Sequence, residues 1–350
     1  MIEVGLVGYG LGGRVFHAPL VDAVARLHLA AVASSRAEEV RRAWPGVSTA
    51  PDPAQLIENP AIELIVISTP NDSHFALARA ALLADKHVVV DKPLTADAGE
   101  GRVLVELARE RGRVLSVFHN RRWDGDFLTV RRLIGEGAVG TPMLYEARWD
   151  RFRLEQRAGW KDEARPGTGL LPDLGSHLLD QALLLFGLPE AVEADLIAQR
   201  VAGVVEDYFE LTLHYGKMRA ILSASTIVKT PRPRFAVHGT GGSFVKHGLD
   251  PQEDSMAAGM GPNDDGFGED RPELFGTLTD ADGGARRIAT ARGDYRCFYE
   301  GVADAILDGA PPPVDPMDAV TGLDLIALAR RSAIEGRRLP VVESLGIQPS

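Results

Sequence analysis

The stretch that decides the fold is Ile2-Glu3-Val4-Gly5-Leu6-Val7-Gly8-Tyr9-Gly10-Leu11-Gly12-Gly13. Its first half, Ile2–Val7, is a short β-rich run. Its second half fits the pattern G-x-G-x-x-G, and Gly13–Ala25 continues with helical spacing. A strand, a glycine turn and a helix in that order form the setting in which this pattern holds a dinucleotide. Gly8 permits the tight turn, Gly10 leaves room for a pyrophosphate against the backbone, and Gly13 lets helix and strand pack closely. The N-terminus of the helix then faces the phosphates, with Gly12 and Arg14 in the same contact region. The structural alternative is a glycine-rich turn that binds nothing.

Working outward, Leu27–Ser34, Ile62–Ser68, His87–Val90 and Arg113–Phe118 read as further strands, and Asp72–Ala84 and Thr95–Arg111 as helices. Near-continuous Val/Ile/Leu runs mean strands buried on both faces, hence a parallel sheet flanked by helices. Residues 1–120 therefore read as an α/β Rossmann domain with a doubly wound parallel sheet. The rhythm then changes. Phe127–Gly135 is helical, Pro142–Arg153 alternates as a strand, and Leu174–Phe186 is an apolar helix closed by Gly187 and Pro189. Strand-like alternation follows at Ala194–Gln199, Tyr208–Tyr215, Met218–Ile227, Arg234–Gly239 and Ser243–Lys246. Residues 121–350 are thus expected to form an α+β C-terminal domain with a large, mostly antiparallel sheet. The solvent side of that sheet is the expected surface for a homodimer or homotetramer. Gly248–Pro272, acidic and glycine-rich, reads as a mobile loop, with a lid or a subunit contact as the alternatives, and Tyr295–Leu307 and Pro316–Ser332 read as closing helices.

Composition narrows the function. The chain has 350 residues, 38 Lys+Arg, 49 Asp+Glu and a net charge of −11. That length predicts two domains. The acidic balance speaks against a nucleic-acid partner, which needs a basic face, and against a polybasic membrane anchor. Apolar runs such as Leu29–Ala33 and Leu64–Ile67 are far short of the roughly 20 residues of a membrane span. The first residues enter a strand with no basic segment or cleavage site, so no signal peptide is expected. The single cysteine, Cys297, can make neither an internal disulfide nor a cysteine metal site. A cytoplasmic protein acting on a small molecule is the expectation.

The end of the second strand reads Ala31-Val32-Ala33-Ser34-Ser35-Arg36. An NAD site places Asp or Glu there, roughly 20 residues beyond the turn, to grip the ribose 2′-hydroxyl. Ser34, Ser35 and Arg36 instead suit a 2′-phosphate, with Arg41 and Arg42 about a helical turn further on, so NADP(H) is predicted over NAD(H). Arg36 could alternatively be a solvated residue at a helix start.

Two more segments carry chemistry. Asp91-Lys92-Pro93 follows the His87–Val90 strand, at the carboxyl edge where such sheets bind ligands. Asp173-Leu174-Gly175-Ser176-His177-Leu178-Leu179-Asp180 opens a helix and puts Asp173 and His177 on one face. Together with the glycine turn, these resemble the Gfo/Idh/MocA oxidoreductase family, whose patterns are E-K-P and G-G-x-x-x-D-x-G-x-H-x-x-D. Here the second pattern reads Gly167-Thr168-Gly169-Leu170-Leu171-Pro172-Asp173-Leu174-Gly175-Ser176-His177. The segments Arg14-Val15-Phe16-His17-Ala18-Pro19, Thr69-Pro70-Asn71-Asp72-Ser73-His74, Val117-Phe118-His119-Asn120-Arg121-Arg122-Trp123 and His177-Leu178-Leu179-Asp180-Gln181-Ala182 look like the subgroup holding NADP-dependent inositol dehydrogenases.

The resemblance implies hydride transfer between a nicotinamide and a secondary alcohol or ketone of a polyol, inositol or sugar-like substrate. It makes His177 the acid/base residue, a role its ordinary titration range suits. Lys92 would bind the reacting oxygen and stabilise alkoxide charge, and Asp173 would hold a second hydroxyl or orient the imidazole. By family position Thr69, Pro70, Asn71, His74, Asp91 and Asn120 line the cofactor, and Trp160 and Arg165 resemble a pair that contacts it. Arg122 could reach a ligand or make an ion pair. Phe152, Arg153 and Tyr208 are candidates for the substrate pocket. His17 reads as helix-start structure and Asp180 as structural. An Asp173/His177/Asp180 metal site lacks the further His or Cys that zinc sites use, so no metal is expected. Asp91 departs from the family glutamate by one methylene, which bears on how Lys92 is held. The rival readings are a non-catalytic NADP(H) sensor on a dehydrogenase fold, and redox-neutral chemistry on a retained cofactor.

Overall fold

The computed structural model describes residues 1–155, 168–201 and 203–345. They divide into two compact units, each discontinuous in sequence. The first unit comprises Met1–Trp123, Pro251–Phe267 and Asp294–Thr321; the second comprises Asp124–Asp250, Gly268–Gly293 and the chain from Gly322 onward.

The first unit holds a six-stranded parallel sheet: β1 (Ile2–Val7), β2 (Leu27–Ala33), β3 (Ser48–Ala50), β4 (Leu64–Ile67), β5 (His87–Val90) and β6 (Leu115–Val117), in the order β3-β2-β1-β4-β5-β6. Leu64, Ile65, Val66 and Ile67 are all fully buried, as a central strand covered on both faces requires. Local chemistry sets the helix ends. Asp52 caps the helix Pro53–Ile57 by accepting from the Ala54 amide, and Asp97 caps Ala98–Arg111 by accepting from Glu100. The latter helix stops at Gly112, whose φ of 60° is left-handed. Because Asp97 is the cap, the helix begins at Ala98 rather than at Thr95.

The second unit is built on a nine-stranded sheet. Its strands are β7 (Pro142–Asp150), β8 (Ala191–Ile197), β9 (Tyr208–Tyr215), β10 (Met218–Ser225), β11 (Phe235–Gly239), β12 (Gly242–Lys246), β13 (Gly276–Asp280), β14 (Ala285–Ile288) and β15 (Leu339–Pro340). The order is β14-β13-β12-β11-β7-β10-β9-β8-β15, antiparallel except for β7 beside β10. One face carries the core, with Tyr145, Ala147, Trp149, Phe209, Leu211, Leu213, Ala220 and Leu222 under the helices Gly125–Gly135, Ser176–Phe186 and Pro316–Glu335.

The expected α/β plus α+β architecture is therefore present. The expectation for Gly248–Pro272 needs correction, since this segment is packed rather than a free loop. The Asp250 carboxylate accepts from the Gly125 amide within the second unit. In the first unit Gln252 is fully buried, donating to Trp123 O and accepting from Tyr295 N, inside the short helix Gln252–Ala257. Met256 and Phe267 join the core there. Its charges lie between apolar and amide anchors, and a composition count registers only the charges.

Candidate active site

Five strands of the parallel sheet, all but β3, are followed by the residues of its carboxyl edge: Gly8, Ser34, Ser68, Asp91 and Phe118. The ladder runs one bond further there. Gly8 N–H donates to Ala33 O at 2.9 Å, Ser34 N–H to Ala50 O at 3.0 Å, and Asp91 N–H to Ile67 O at 2.8 Å. Gly8 has φ 97°, and a Cβ on it would strike the Ser68 carbonyl oxygen. A Cβ on Gly13 would strike Gly8 O, so the helix start lies directly on the turn. Gly10 faces open space within 4 Å, the room a pyrophosphate needs. The chain from Gly12 to His17 winds as a widened π turn, with Ala18 N–H donating to Gly13 O; such turns are rare and recur at functional sites. These residues fit a dinucleotide.

Around the turn, Tyr9 is buried and its hydroxyl accepts from Trp44 Nε1 at 2.9 Å. Ser34 Oγ accepts from Arg36 N at 3.1 Å, and Ser35 and Arg36 are exposed. The Arg36 guanidinium lies 3.8 Å from Glu39, Arg41 donates to Thr49 Oγ1, and Arg14 and Arg42 are exposed. No carboxylate stands in the row Ser34-Ser35-Arg36.

Asp91 is the hub of this edge. Its Oδ1 accepts from the Lys92 backbone amide at 2.8 Å, and its Oδ2 lies 3.3 Å from Ser68 Oγ and 3.4 Å from His17 Nε2. A Cβ on Gly12 would stand 2.7 Å from that same Oδ2. Burial pushes the Asp91 carboxyl upward, but His17, Lys92 and His74 outweigh it and hold it down at about 2. His17 and Tyr299 are fully buried, and His17 Nδ1 sits 2.6 Å from Tyr299 OH. His74, also fully buried, faces Pro93 O at 2.8 Å and Thr69 O at 3.0 Å with its two ring nitrogens, bracing the ends of β4 and β5 together. Thr69 Oγ1 meets Ser73 Oγ, and Asn120 is buried. Arg122 makes the ion pair foreseen as its alternative, 2.8 Å from Asp318.

The second unit holds the remaining candidates. Gly169, at φ 102°, lies against the Glu206 carboxylate, which Arg330 pairs at 2.7 Å. The chain then makes a second π turn, Leu171–Gly175, containing Asp173, and runs into the helix with His177 and Asp180. At Gly175 a Cβ would stand 2.6 Å from Leu171 Cδ1 and 3.3 Å from the Phe209 ring, so any side chain there would push Leu171 aside. His177 is buried, with its ring stacked on Trp149 at a centroid distance of 6.2 Å; Asp173 is half-buried. Behind Trp149 the buried Arg234 guanidinium sits 5.1 Å from the indole and bonds Gln181 Oε1. Phe152 is exposed under the Lys229 ammonium, Arg153 N–H donates to Thr226 O, and burial pushes the half-buried Tyr208 phenol up, aided by Glu210 and Asp195. Trp160 and Arg165 lie outside the described residues.

Sequence reasoning missed Ser68, Trp44 and Tyr299. Ser68 ends a strand like any other small residue, and Tyr299 is 282 positions from the histidine it meets. No helix among the described residues is long and apolar enough to cross a membrane.

A glycine turn that leaves space for phosphates, at the carboxyl edge of a six-stranded parallel sheet, defines a nicotinamide-dinucleotide-binding fold of the oxidoreductase class. Residues 2–119 match the family described as oxidoreductase family, NAD-binding Rossmann fold, and residues 131–341 match its C-terminal alpha/beta domain. The chain belongs to the Gfo/Idh/MocA oxidoreductase family. It is 42% identical to scyllo-inositol 2-dehydrogenase (NADP(+)) IolW of Bacillus subtilis, over 97% of this chain and 95% of the other. The solved structure of yvaA from Bacillus subtilis superposes with a TM-score of 0.94 at 42% identity, covering 97% of this chain and 98% of that one. A more distant relative, the NAD(+) scyllo-inositol 2-dehydrogenase of the same organism, is 28% identical over 53% of this chain and 54% of its own.

Proposed function

We propose that this enzyme is an NADP(H)-dependent oxidoreductase acting on CH–OH groups, interconverting a secondary alcohol and a ketone on a polyol, inositol or sugar-like substrate. The observation that carries the reading is the contact of Asp91 with Gly12. It sets the backbone of the segment bearing Lys92 against the glycine turn, which supports Lys92 as the cation that would serve a bound dinucleotide's substrate. NADP(H) is favoured by the serines and Arg36 where a carboxylate would repel a 2′-phosphate, and by the relative whose name carries NADP(+).

Bound nicotinamide would accept or supply the hydride at one substrate carbon. Lys92 would donate a hydrogen bond to the reacting oxygen and stabilise its negative charge. His177 would take the hydroxyl proton in oxidation and return it in reduction, and Asp173 would accept from a neighbouring hydroxyl or orient the imidazole. Neutral polyols suit a surface of charge −11, since they need no electrostatic steering. The open face of the nine-stranded sheet is proposed to bury itself in a homodimer or homotetramer.

The test is NADPH and NADH oxidation by the folded protein against inososes, ketoses and diketones. NADPH-linked turnover is expected. Absence of turnover with the whole panel overturns the reading. Tight NADPH binding without turnover points to a sensor, and failure to exchange with free NADP points to redox-neutral chemistry.

A further inference from the structure

The first unit sets three titratable side chains in one line: the fully buried Tyr299 hydroxyl and His17 ring, and the quarter-exposed Asp91 carboxylate. The phenol is raised well above its ordinary range by burial and by Asp91, so it stays protonated. Among the described residues its hydroxyl meets no polar partner other than His17 Nδ1. One proton arrangement satisfies the line. Tyr299 O–H donates to Nδ1, and the neutral ring carries its proton on Nε2, the nitrogen 3.4 Å from Asp91 Oδ2. A cationic ring would leave the buried phenolic proton without an acceptor, beside the tilted ring of Phe118 4.4 Å from the imidazole. The line therefore has a direction, and it ends at a buried phenol beside Phe118 and Phe298. It can hold a charge in place, and its inner end, the fully buried Tyr299 hydroxyl, has no outlet by which to pass protons to water.

We propose that His17 and Tyr299 are positioning residues for Lys92, acting through Asp91. They fix the carboxylate in one rotamer, and its other oxygen anchors the Lys92 backbone amide while Oδ2 closes against Gly12. This rests on the reading of Lys92 as the group that meets the reacting oxygen. The shortened side chain at position 91 follows from the same geometry. Oδ2 already lies against Ser68 and Gly12, so a glutamate carboxyl, one methylene longer, would have no place between His17 and the turn. The groups facing Asp91 are His17 from the first helix, Tyr299 from Arg296–Leu307 through that ring, Ser68 from the end of β4, His74, and Lys92 itself. Attraction between the carboxylate and the Lys92 ammonium is mutual, so Asp91 must remain ionised for the ammonium to be held as a hydrogen-bond donor.

The experiment compares wild type with His17→Leu, His17→Gln and Tyr299→Phe in the full chain, after circular dichroism has established folding. Glutamine can still present an N–H toward Asp91; leucine cannot. His17→Leu is expected to lower kcat at least about tenfold, with the NADPH dissociation constant within about threefold of wild type, and to move the acid limb of the kcat profile upward by a unit or more. His17→Gln should recover most of kcat and restore the limb. Independently of turnover, nitrogen NMR of the wild-type imidazole should show His17 bare at Nδ1 and protonated at Nε2, and Tyr299→Phe should mix the two tautomers. A proton on Nδ1 in wild type, or a His17→Leu enzyme with unchanged kcat and pH profile, overturns the proposal. If His17→Leu does not fold, the wild-type tautomer and the Tyr299→Phe profile decide it. If wild type turns over nothing, the functional reading fails while the tautomer still tests the clamp.

Discussion

Trp44 donates its indole N–H to the hydroxyl of Tyr9 at 2.9 Å, tying the glycine turn to the end of the helix that carries Arg41 and Arg42. Tyr9 is buried and Trp44 half-buried, so the bond is only partly replaceable by water. Tyr9→Phe should cost about 1 kcal/mol, a fall in Tm of about 2–4 °C. NADPH affinity should drop about fivefold if the turn must be re-ordered on binding. Thermal unfolding and cofactor titration check both figures, and an unchanged affinity would show that the turn needs no such brace.

The glycines of the turn separate folding from binding. Gly10→Ala adds a methyl into open space, so stability should stay within about 0.5 kcal/mol while NADPH affinity falls tenfold or more, roughly the cost of one overpacked contact. Gly13→Ala drives a methyl into Gly8 O and should destabilise the protein by at least about 1–3 kcal/mol with or without cofactor. Similar behaviour of the two variants in unfolding experiments would contradict this assignment.

Cofactor choice should turn on Arg36. Arg36→Glu replaces the proposed phosphate donor with a repelling carboxylate that can grip ribose hydroxyls. Losing a charge-assisted hydrogen bond is worth about 1.5–3 kcal/mol, so the NADPH-over-NADH ratio of kcat/KM should fall about 10–100-fold or more. A ratio unmoved by the substitution would mean that the 2′-phosphate is read elsewhere.

Truncating Lys92 or His177 to alanine should lower kcat by about 10²–10⁴-fold, the usual size of a lost proton-transfer or oxyanion partner. NADPH fluorescence titration should show binding retained. Turnover at the wild-type rate in either variant would remove that residue from the chemistry.

Asp91 predicts a pH dependence of stability. Its folded pKa is held at about 2, below the ordinary 3.8, so its contribution is fully present above about pH 4 and is lost as pH falls toward 2. The shift corresponds to about 2 kcal/mol for this quarter-exposed side chain. The stability gap between wild type and Asp91→Asn in urea should therefore narrow by about that amount between pH 5 and pH 2. A gap that stays constant with pH would mean that His17 and Lys92 do not hold the ionised form.

Much of this was legible in the residues, for reasons that differ by element. The parallel sheet announces itself because Leu64–Ile67 and Val88–Val90 are apolar throughout, and the turn because Gly8 and Gly13 each answer a separate steric demand while Gly10 leaves open space. Tyr208–Tyr215 alternates so regularly that its limits follow directly from the pattern. Strand β14, Ala-Arg-Arg-Ile, has no apolar alternation because it is an exposed edge, and nothing local marks it. Lys92, Asp173 and His177 enter as candidates through their motifs alone. The pairings of Asp91 with His17 and of His17 with Tyr299 are not legible, because three residues far apart in sequence become neighbours only through tertiary packing.

The first unit closes on itself only when late segments return to it. Ser116 Oγ donates to Val314 O at 2.9 Å, and Tyr295, Phe298, Tyr299 and Val320 complete a core begun by Ile2 and Val4. A ribosome that has released the whole six-stranded sheet has therefore not yet released the residues that finish its interior. Until about residue 320 is out, the nascent chain exposes Phe118 and the helix Gly12–His17 to water. This protein should thus lean on holding factors during synthesis more than a domain encoded without interruption, and chains that terminate early should be degraded rather than accumulate as a nucleotide-binding fragment.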